Sequence, residues 1–436
     1  MQGSPVRIGL LGCGTVGGSL VELIAAEADV IAARTGLQLA VTKVAVRNPD
    51  RARAGNLPAA AFTTDAMSVV SDPDVDLVVE VMGGVDPART LILDALKNGK
   101  PVVTANKELV AKAGAELFAA AEAGGVDLLF EAAVAGGIPL VRPLRESLLG
   151  EPIRRIMGIV NGTTNYILTR MTEAGASYAE ALAEAQELGY AEADPTADVE
   201  GHDAGAKIAI LASIAFGVEV TADDVHLEGI SGLTADDIAY ATRKGYVIKL
   251  LAIAEHAVGA GAPIAVRVHP VLLPSTHPLA AVRESFNAVF VEGGAVGDLM
   301  FYGRGAGGQP TASAVLGDVI DAAVNRRQGS SAHLGALGRA QIASIDDLRS
   351  EYYINLDVTD RPGVLAAVAG VFGNHSVSIS SMEQEGLDDE ARLIFVTHGA
   401  LERALRATLA ELRDLPDVRH VGSVIRVLGT EAGSVP

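Results

Sequence analysis

A chain of 436 residues is long enough for two or three domains and a large core. Its net charge of −20 is spread along the sequence rather than gathered in a tail, a surface that repels nucleic acid and anionic membrane. Charge, glycine or proline breaks every long apolar run before about 18 residues, so no transmembrane span is expected.

The first predicted strand, 6–11, ends in Gly12-Cys13-Gly14-Thr15-Val16-Gly17-Gly18, and a helix is predicted over 19–34. Strand, GxGxxG and helix in that order form the context of the dinucleotide fingerprint. Gly12, Gly14 and Gly17 permit a tight turn and close backbone approach to a pyrophosphate seated on the helix N-terminus. An ordinary glycine-rich turn is the alternative. The same glycines, with Glu22 and Glu27 after them, argue against a signal peptide. The single cysteine, Cys13, excludes an internal disulfide and fits a reducing cytoplasm.

A second strand, 39–46, runs into Arg47-Asn48-Pro49. An NAD-selective site usually places an acid at that strand end to bind the ribose hydroxyls, whereas an arginine suits a 2′-phosphate. NADP is therefore the expected cofactor, with NAD and a plain surface Arg47 as the alternatives. A buried strand over 75–81, a helix over 87–98 and a strand over 101–104 follow, leading to Ala105-Asn106-Lys107-Glu108. Lys107 falls where parallel strands end and ligands bind, although a surface lysine would look the same. A further helix and a strand over 127–132 reach Glu131 to Pro139. Strands alternating with helices make residues 1–145 one doubly wound domain.

Residues 146–310 mix strands and helices. A strand over 153–160 leads into Asn161-Gly162-Thr163-Thr164-Asn165, read as a turn rich in hydrogen-bonding groups. Ser177 and Glu180 form a capping box for a helix that stops at Gly189. Five carboxylates and one lysine then fall within 192–207. Asp203 and Lys207 lie four apart at the start of an apolar helix and share one face. An acid at a helix start is favoured by the dipole and keeps a nearby ammonium charged. A solvated ion pair is the plain alternative, but the apolar run behind the two residues aims them at a cleft. Runs near 246–255, 263–271, 287–292 and 298–303 read as strands of an open, mostly antiparallel sheet of the kind that supplies a dimer interface. A homodimer or homotetramer is expected. The glycines of 302–308, Gly307 among them, precede a helix over 311–325 expected to pack back on the nucleotide domain. They are read as close backbone approach to the cofactor, with a flexible turn as the alternative. Residues 326–350 read as a linker, and 351–430 as a βαββαβ, ferredoxin-like unit.

Taken together, these motifs resemble homoserine dehydrogenase of the long monofunctional type, with a C-terminal ACT domain, over essentially the whole chain. The resemblance is carried by the GxGTVG loop at 12–17, Thr104 to Lys107, Glu131 to Pro139, Asn161 to Leu168, Leu188 to Glu192 with Asp194-Pro195, and Asp203 to Lys207. It implies an α/β chain: a Rossmann-type nucleotide domain, an α+β substrate and dimerisation domain, and an ACT domain. The implied activity is the reversible NAD(P)H-dependent reduction of L-aspartate 4-semialdehyde to L-homoserine, on the route to threonine, methionine and isoleucine.

By that resemblance Lys207 is the proton donor to the aldehyde oxygen, and Lys107 lies between nicotinamide and substrate. Glu192, Asp203 and Asp198, with Thr163 and Gly189, belong to the substrate site. Thr15, Val16 and Thr104 meet the cofactor. Glu131 and the backbone carbonyls of Val134, Gly136 and Ile138 form a monovalent cation site, taken as sodium. Relatives often carry adjacent acids where this chain has Ala197-Asp198, so the weight of Asp198 stays open. The ACT loop from Asp360 to Gly363 is the expected effector site, with L-threonine as the ligand and simple dimerisation as the alternative.

The chemistry agrees with those roles. A substrate carrying both ammonium and carboxylate calls for acids and a base in one cleft. Hydride arriving at a carbonyl carbon puts negative charge on its oxygen, which a lysine ammonium can stabilise and protonate. Oxidation of an aldehyde through a thioester needs a cysteine nucleophile, and Cys13 lies in the phosphate loop. That separates this chain from aspartate-semialdehyde dehydrogenase. Two other readings stay open: a dinucleotide-binding sensor, and an oxidoreductase acting on a related amino-acid aldehyde or alcohol.

Overall fold

The computed structural model describes residues 4–49, 57–256, 263–332, 334, 337–387 and 390–429. Residues 1–3 and 50–56 of the expected nucleotide domain, 257–262 of the expected second domain, 333, 335 and 336 of the expected linker and 388, 389 and 430 of the expected third domain lie outside them. The chain divides into two compact units. One comprises Met1–Gly162, Asp203–Val225 and Phe286–Ala340; the other comprises Thr163–His202, His226–Ser285 and Gln341–Pro436.

The first unit is built on a six-stranded sheet of the Rossmann type. Outward from Val6–Leu11 it runs through Leu39–Ala45 to Phe62–Thr63 on one side. On the other it runs through Leu77–Glu80 and Val102–Thr104 to Leu128–Leu129, and every neighbour is parallel. Residues 77–80 and 102–104 are buried throughout, as strands covered on both faces must be. The core between Ile8, Leu10, Leu20 and Ile24 also contains Ala312, Val315, Leu316 and Val319 of the long helix Gly308–Gln328. A separate antiparallel trio joins Ile153–Ile159, Phe286–Gly293 and Asp298–Arg304.

In the second unit, Tyr246–His256 and Ile264–Pro274 pair antiparallel over eleven residues. The end of the latter strand takes Val418–Val427 as a parallel neighbour. The sheet then continues through Arg349–Thr359 and Glu390–Thr397 to Ile379–Leu387. Val364–Asn374 and Glu402–Asp414 supply Val368, Phe372, Leu405 and Leu412 to one apolar core over this βαββαβ sheet.

Four local expectations are corrected. The helix over 19–34 is two helices, Thr15–Ala26 and Ala28–Thr35, which break at Glu27. The first starts inside the glycine loop, so its N-terminus begins at the phosphate turn itself. The strand over 127–132 shrinks to Leu128–Leu129, because a 3-10 turn, Glu131–Ala133, takes Glu131 into the interior. The turn at 161–165 is the opening of the helix Gly162–Ala174, with Thr163, Thr164 and Asn165 buried. The linker over 326–350 carries several short elements among its described residues. The preceding helix runs to Gln328, Gly338–Arg339 pairs with Val218–Glu219, and Ile342 bridges Ile264. A 3-10 turn, Ile345–Asp347, then leads into the strand that starts at Arg349. Among the described residues no helix is long and apolar enough to cross a membrane.

Candidate active site

The helix His202–Phe216 puts Asp203 in its first turn and Lys207 one turn later. The i,i+4 spacing gives an ion pair of 2.8 Å between Lys207 Nζ and Asp203 Oδ2, with both side chains buried. Lys207 Nζ also donates to the Val160 carbonyl at 2.6 Å. That carbonyl lies just beyond the strand Ile153–Ile159. An ammonium carries three N–H donors, and these two bonds use two of them.

Asp203 is shared. Its Oδ1 pairs with Lys107 Nζ, and its Oδ2 also accepts from Asn161 Nδ2 at 2.9 Å. Burial alone would push the Asp203 carboxyl up. The Lys207 ammonium, then that of Lys107, outweigh burial and hold it well below the usual carboxylate range. Lys107 opens the helix Lys107–Gly124, whose N-cap Asn106 accepts from Leu109 N–H. Its side chain is half exposed, in contrast to Lys207. The structure thus joins Lys107, Asp203 and Lys207 into one cluster, and adds Asn161 to it.

The residues expected at the cofactor cluster at or after the ends of the parallel strands. Gly12 has φ 96, and a Cβ on Gly17 would collide with the Gly12 carbonyl. Around Gly14 nothing lies within 4 Å of a Cβ position, which leaves room for a ligand. Gly307 has φ 122 and caps the helix Gly308–Gln328; a Cβ on Gly308 would stand 2.8 Å from Ser19 Oγ and 3.0 Å from Thr15 Cγ2. That brings Gly307 to the phosphate loop. Arg47 stands exposed just past the second strand. Thr104 is fully buried; its hydroxyl donates to Glu80 Oε2 at 2.6 Å and accepts from Asn106 N–H. Its side chain is therefore committed inside the protein, and only its backbone can face a ligand.

Glu80 is a residue that sequence reasoning missed. Fully buried at the end of its strand, it accepts from the amides of Met82 and Gly83 and so shapes the loop after the strand. An acid closing an otherwise apolar strand was the available signal.

The Glu131 carboxylate accepts from the amides of Leu140 and Val141 at Oε1 and of Arg142 at Oε2, while its own N–H donates to Asp318. The chain then folds back through Ala135, φ 55, and Gly136, φ 58. No hydrogen bond ends on the carbonyls of Val134, Gly136 or Ile138 among the described residues. Unused carbonyls suit a hard cation, and a Cβ at Gly136 would collide with the Gly305 carbonyl. Among the described residues no three His, Cys, Asp or Glu side chains gather as metal ligands.

Thr163, Gly189, Glu192 and Asp198 belong to the second unit. Thr163 Oγ1 donates to the Tyr190 carbonyl at 2.6 Å, tying the helix Gly162–Ala174 to the segment after Gly189, which has φ 76. The Ser177–Glu180 capping box is present on the intervening helix. Asp198 lies in the short helix Thr196–Val199. Asp360 and Gly363 border the helix Val364–Asn374, with Gly363 as its N-cap at φ 96.

Three family models cover most of the chain. They are homoserine dehydrogenase over residues 139–320, the homoserine dehydrogenase NAD-binding domain over 12–131, and the ACT domain over 352–417. The homoserine dehydrogenase of Corynebacterium glutamicum is 54% identical over 428 residues, 98% of this chain and 96% of that protein. That of Mycobacterium tuberculosis is 51% identical over 435 residues, 98% of each chain. The crystal structure of a homoserine dehydrogenase from Thiobacillus denitrificans superposes with a TM-score of 0.93 at 44% identity, covering 98% of this chain and 99% of that one. With a parallel nucleotide sheet, a buried lysine–carboxylate pair and these relatives, the chain belongs to the homoserine dehydrogenase family, oxidoreductases that act on a CH–OH group.

Proposed function

We propose that this enzyme interconverts L-aspartate 4-semialdehyde and L-homoserine on the route to threonine, methionine and isoleucine, with NADP as its preferred cofactor. The observation that carries the chemistry is the buried Lys207, with two N–H groups held by Asp203 and Val160 and a third left for the reacting oxygen. The bound dinucleotide supplies hydride to the aldehyde carbon. Lys207 stabilises the negative charge developing on the oxygen and gives it a proton, so that the carbonyl becomes the alcohol. Asp203 keeps that lysine charged and oriented, and Lys107 shares the same carboxylate beside the nicotinamide and substrate. Glu192, Asp198, Thr163 and Gly189 receive the amino-acid end of the substrate. The preference for NADP is supported by Arg47 at the strand end, where a 2′-phosphate needs a cation.

A monovalent cation, sodium in the first instance, would rest on the carbonyls of Val134, Gly136 and Ile138 beside Glu131. It would steady the loop that abuts Gly305. The ACT unit would take threonine at Asp360 to Gly363 and lower activity when threonine is abundant. A cytoplasmic homodimer or homotetramer completes the reading.

Steady-state rates with NADPH and NADH, using homoserine and aspartate semialdehyde in turn, test the reaction. Absence of aldehyde-dependent NADPH oxidation by pure protein would leave the dinucleotide-sensor alternative in its place. Equal rates with and without millimolar threonine, and no heat of threonine binding, would retire the feedback role.

A further inference from the structure

Within the second unit a cavity of about 430 Å³ opens beside the helix Glu402–Asp414. Arg426, which is buried and paired with two carboxylates, lines it. Arg426 gives two hydrogen bonds to Glu228, at 2.7 and 2.8 Å, and two to Glu402 Oε2, at 2.8 and 3.2 Å. The Tyr352 hydroxyl adds a third donor to the same Glu402 oxygen at 2.7 Å. Two cations at the rim are less committed. Arg406 reaches Asp346 at 3.1 Å and Glu402 Oε1 at only 3.7 Å, and Arg413 has no ion-pair partner among the described residues. Seven residues apart, they lie on one helix face, with the apolar side chain of Leu409 between them. Leu405 and Val424 extend the apolar floor. Arg413 is therefore the lining cation left without a carboxylate among the described residues, and Arg406 the one that a ligand carboxylate could draw from Asp346, both beside an aliphatic surface.

The same wall leads to the acidic stretch of the substrate site. Glu228 N–H donates to Val268, and two residues on, Ile230 N–H donates to the Val199 carbonyl at 2.8 Å. Ser231 Oγ donates to Glu200 Oε1 at 2.7 Å, and a Cβ on Gly229 would meet the Val199 carbonyl at 2.5 Å. Val199 directly follows Asp198. A shift of Glu228 thus has no slack before it reaches that stretch.

We propose that this cavity binds a small aliphatic carboxylate, with its anionic head on Arg406 and Arg413 and its apolar body on Leu405, Leu409 and Val424. Occupancy is passed through Arg426 and Glu228 to the segment carrying Asp198. This site is separate from the loop at Asp360 to Gly363. Two sources share the chemistry: an aliphatic amino acid, whose ammonium would take Glu402 Oε1 in place of its long contact to Arg406, and its 2-oxo acid. The coupling rests on the dehydrogenase reading, whereas the binding does not.

Calorimetry on the full chain with L-leucine and with 4-methyl-2-oxopentanoate tests the binding without turnover. The expected result is saturable binding of at least one acid, weakened about tenfold or more in Arg413→Glu, an exposed position, with thermal unfolding as the folding control. Binding of leucine alone identifies the amino acid as the source, and equal binding of both identifies the carboxylate as sufficient. No saturable heat with either acid, or equal heat in Arg413→Glu, overturns the site. For the coupling, the bound acid should change KM for aspartate semialdehyde in the natural chain and not in Arg413→Glu. An unchanged KM at saturation overturns it while leaving the site intact.

Discussion

Asp203 stands one helical turn before Lys207 and holds its Nζ at 2.8 Å in a place that water barely reaches. Removing the ammonium removes a donor positioned by both a carboxylate and a carbonyl. Lys207→Ala should lower kcat by about 10²–10⁴-fold, the range for a positioned acid, while NADPH binds as before. Steady-state rates and a fluorescence titration of NADPH measure the two quantities. Near-normal kcat would remove Lys207 from the reaction.

The shared carboxylate makes a second prediction, on stability. The folded-state pKa of Asp203 lies below its ordinary value of 3.8, since the two lysines outweigh burial. A depressed carboxyl stabilises the fold above its unfolded pKa, and the contribution is lost as pH falls through and below about 4. Asp203→Asn should therefore be less stable than the natural chain at pH 7, and the gap should narrow towards pH 3. Urea unfolding at both values checks it; a gap that stays constant with pH would show that the pair adds no proton-linked stability.

The pair was legible in the sequence because its geometry is local: four residues on one helix face. The rest of the cluster was not. Asn161 reaches Asp203 from 42 residues away, and the Val160 carbonyl is placed by the strand end preceding the helix Gly162–Ala174. The segment Asn161 to Asn165 is rich in turn-forming polar residues, so local preference read it as a turn, whereas burial of Thr163 to Asn165 drew it into a helix. The expected linker failed for a similar reason. Gly338–Arg339 and Ile342 are strand-like only because Val218–Glu219 and Ile264 pair with them. The alternating strands and helices of the nucleotide domain needed no such partner to be read.

A lysine outside the active cluster gives a third prediction. Lys249 is buried, and its Nζ donates to Asn165 Oδ1 at 2.8 Å and the Val282 carbonyl at 2.5 Å. Burial without a close carboxylate brings its pKa down to about 8. Below that pH the folded state carries a charge it disfavours, and the cost is relieved as pH rises from about 8 to the unfolded value of 10.5. The natural chain should gain stability relative to Lys249→Met between pH 8 and 10. Thermal unfolding of both proteins across that range gives the comparison. Parallel curves would mean that the ammonium is solvated in solution.

The fourth prediction concerns Arg47, which stands exposed just beyond the strand Leu39–Ala45. The Gly12 amide donates to the Ala45 carbonyl at 3.0 Å, which ties the strand end to the phosphate loop. On the proposed NADP preference, a guanidinium there would pair with the 2′-phosphate and would have less to offer a 2′-hydroxyl. A hydrogen bond to a charged group is worth about 1.5–3 kcal/mol, which is roughly ten- to a hundredfold in affinity. Arg47→Ser should raise KM for NADPH by that factor and leave KM for NADH within about twofold. Because the side chain is exposed and on a strand end, the substitution should not alter folding, so thermal stability serves as the control. A parallel rise in both KM values would assign Arg47 to the loop's shape, and unchanged values for both cofactors would leave it a surface charge.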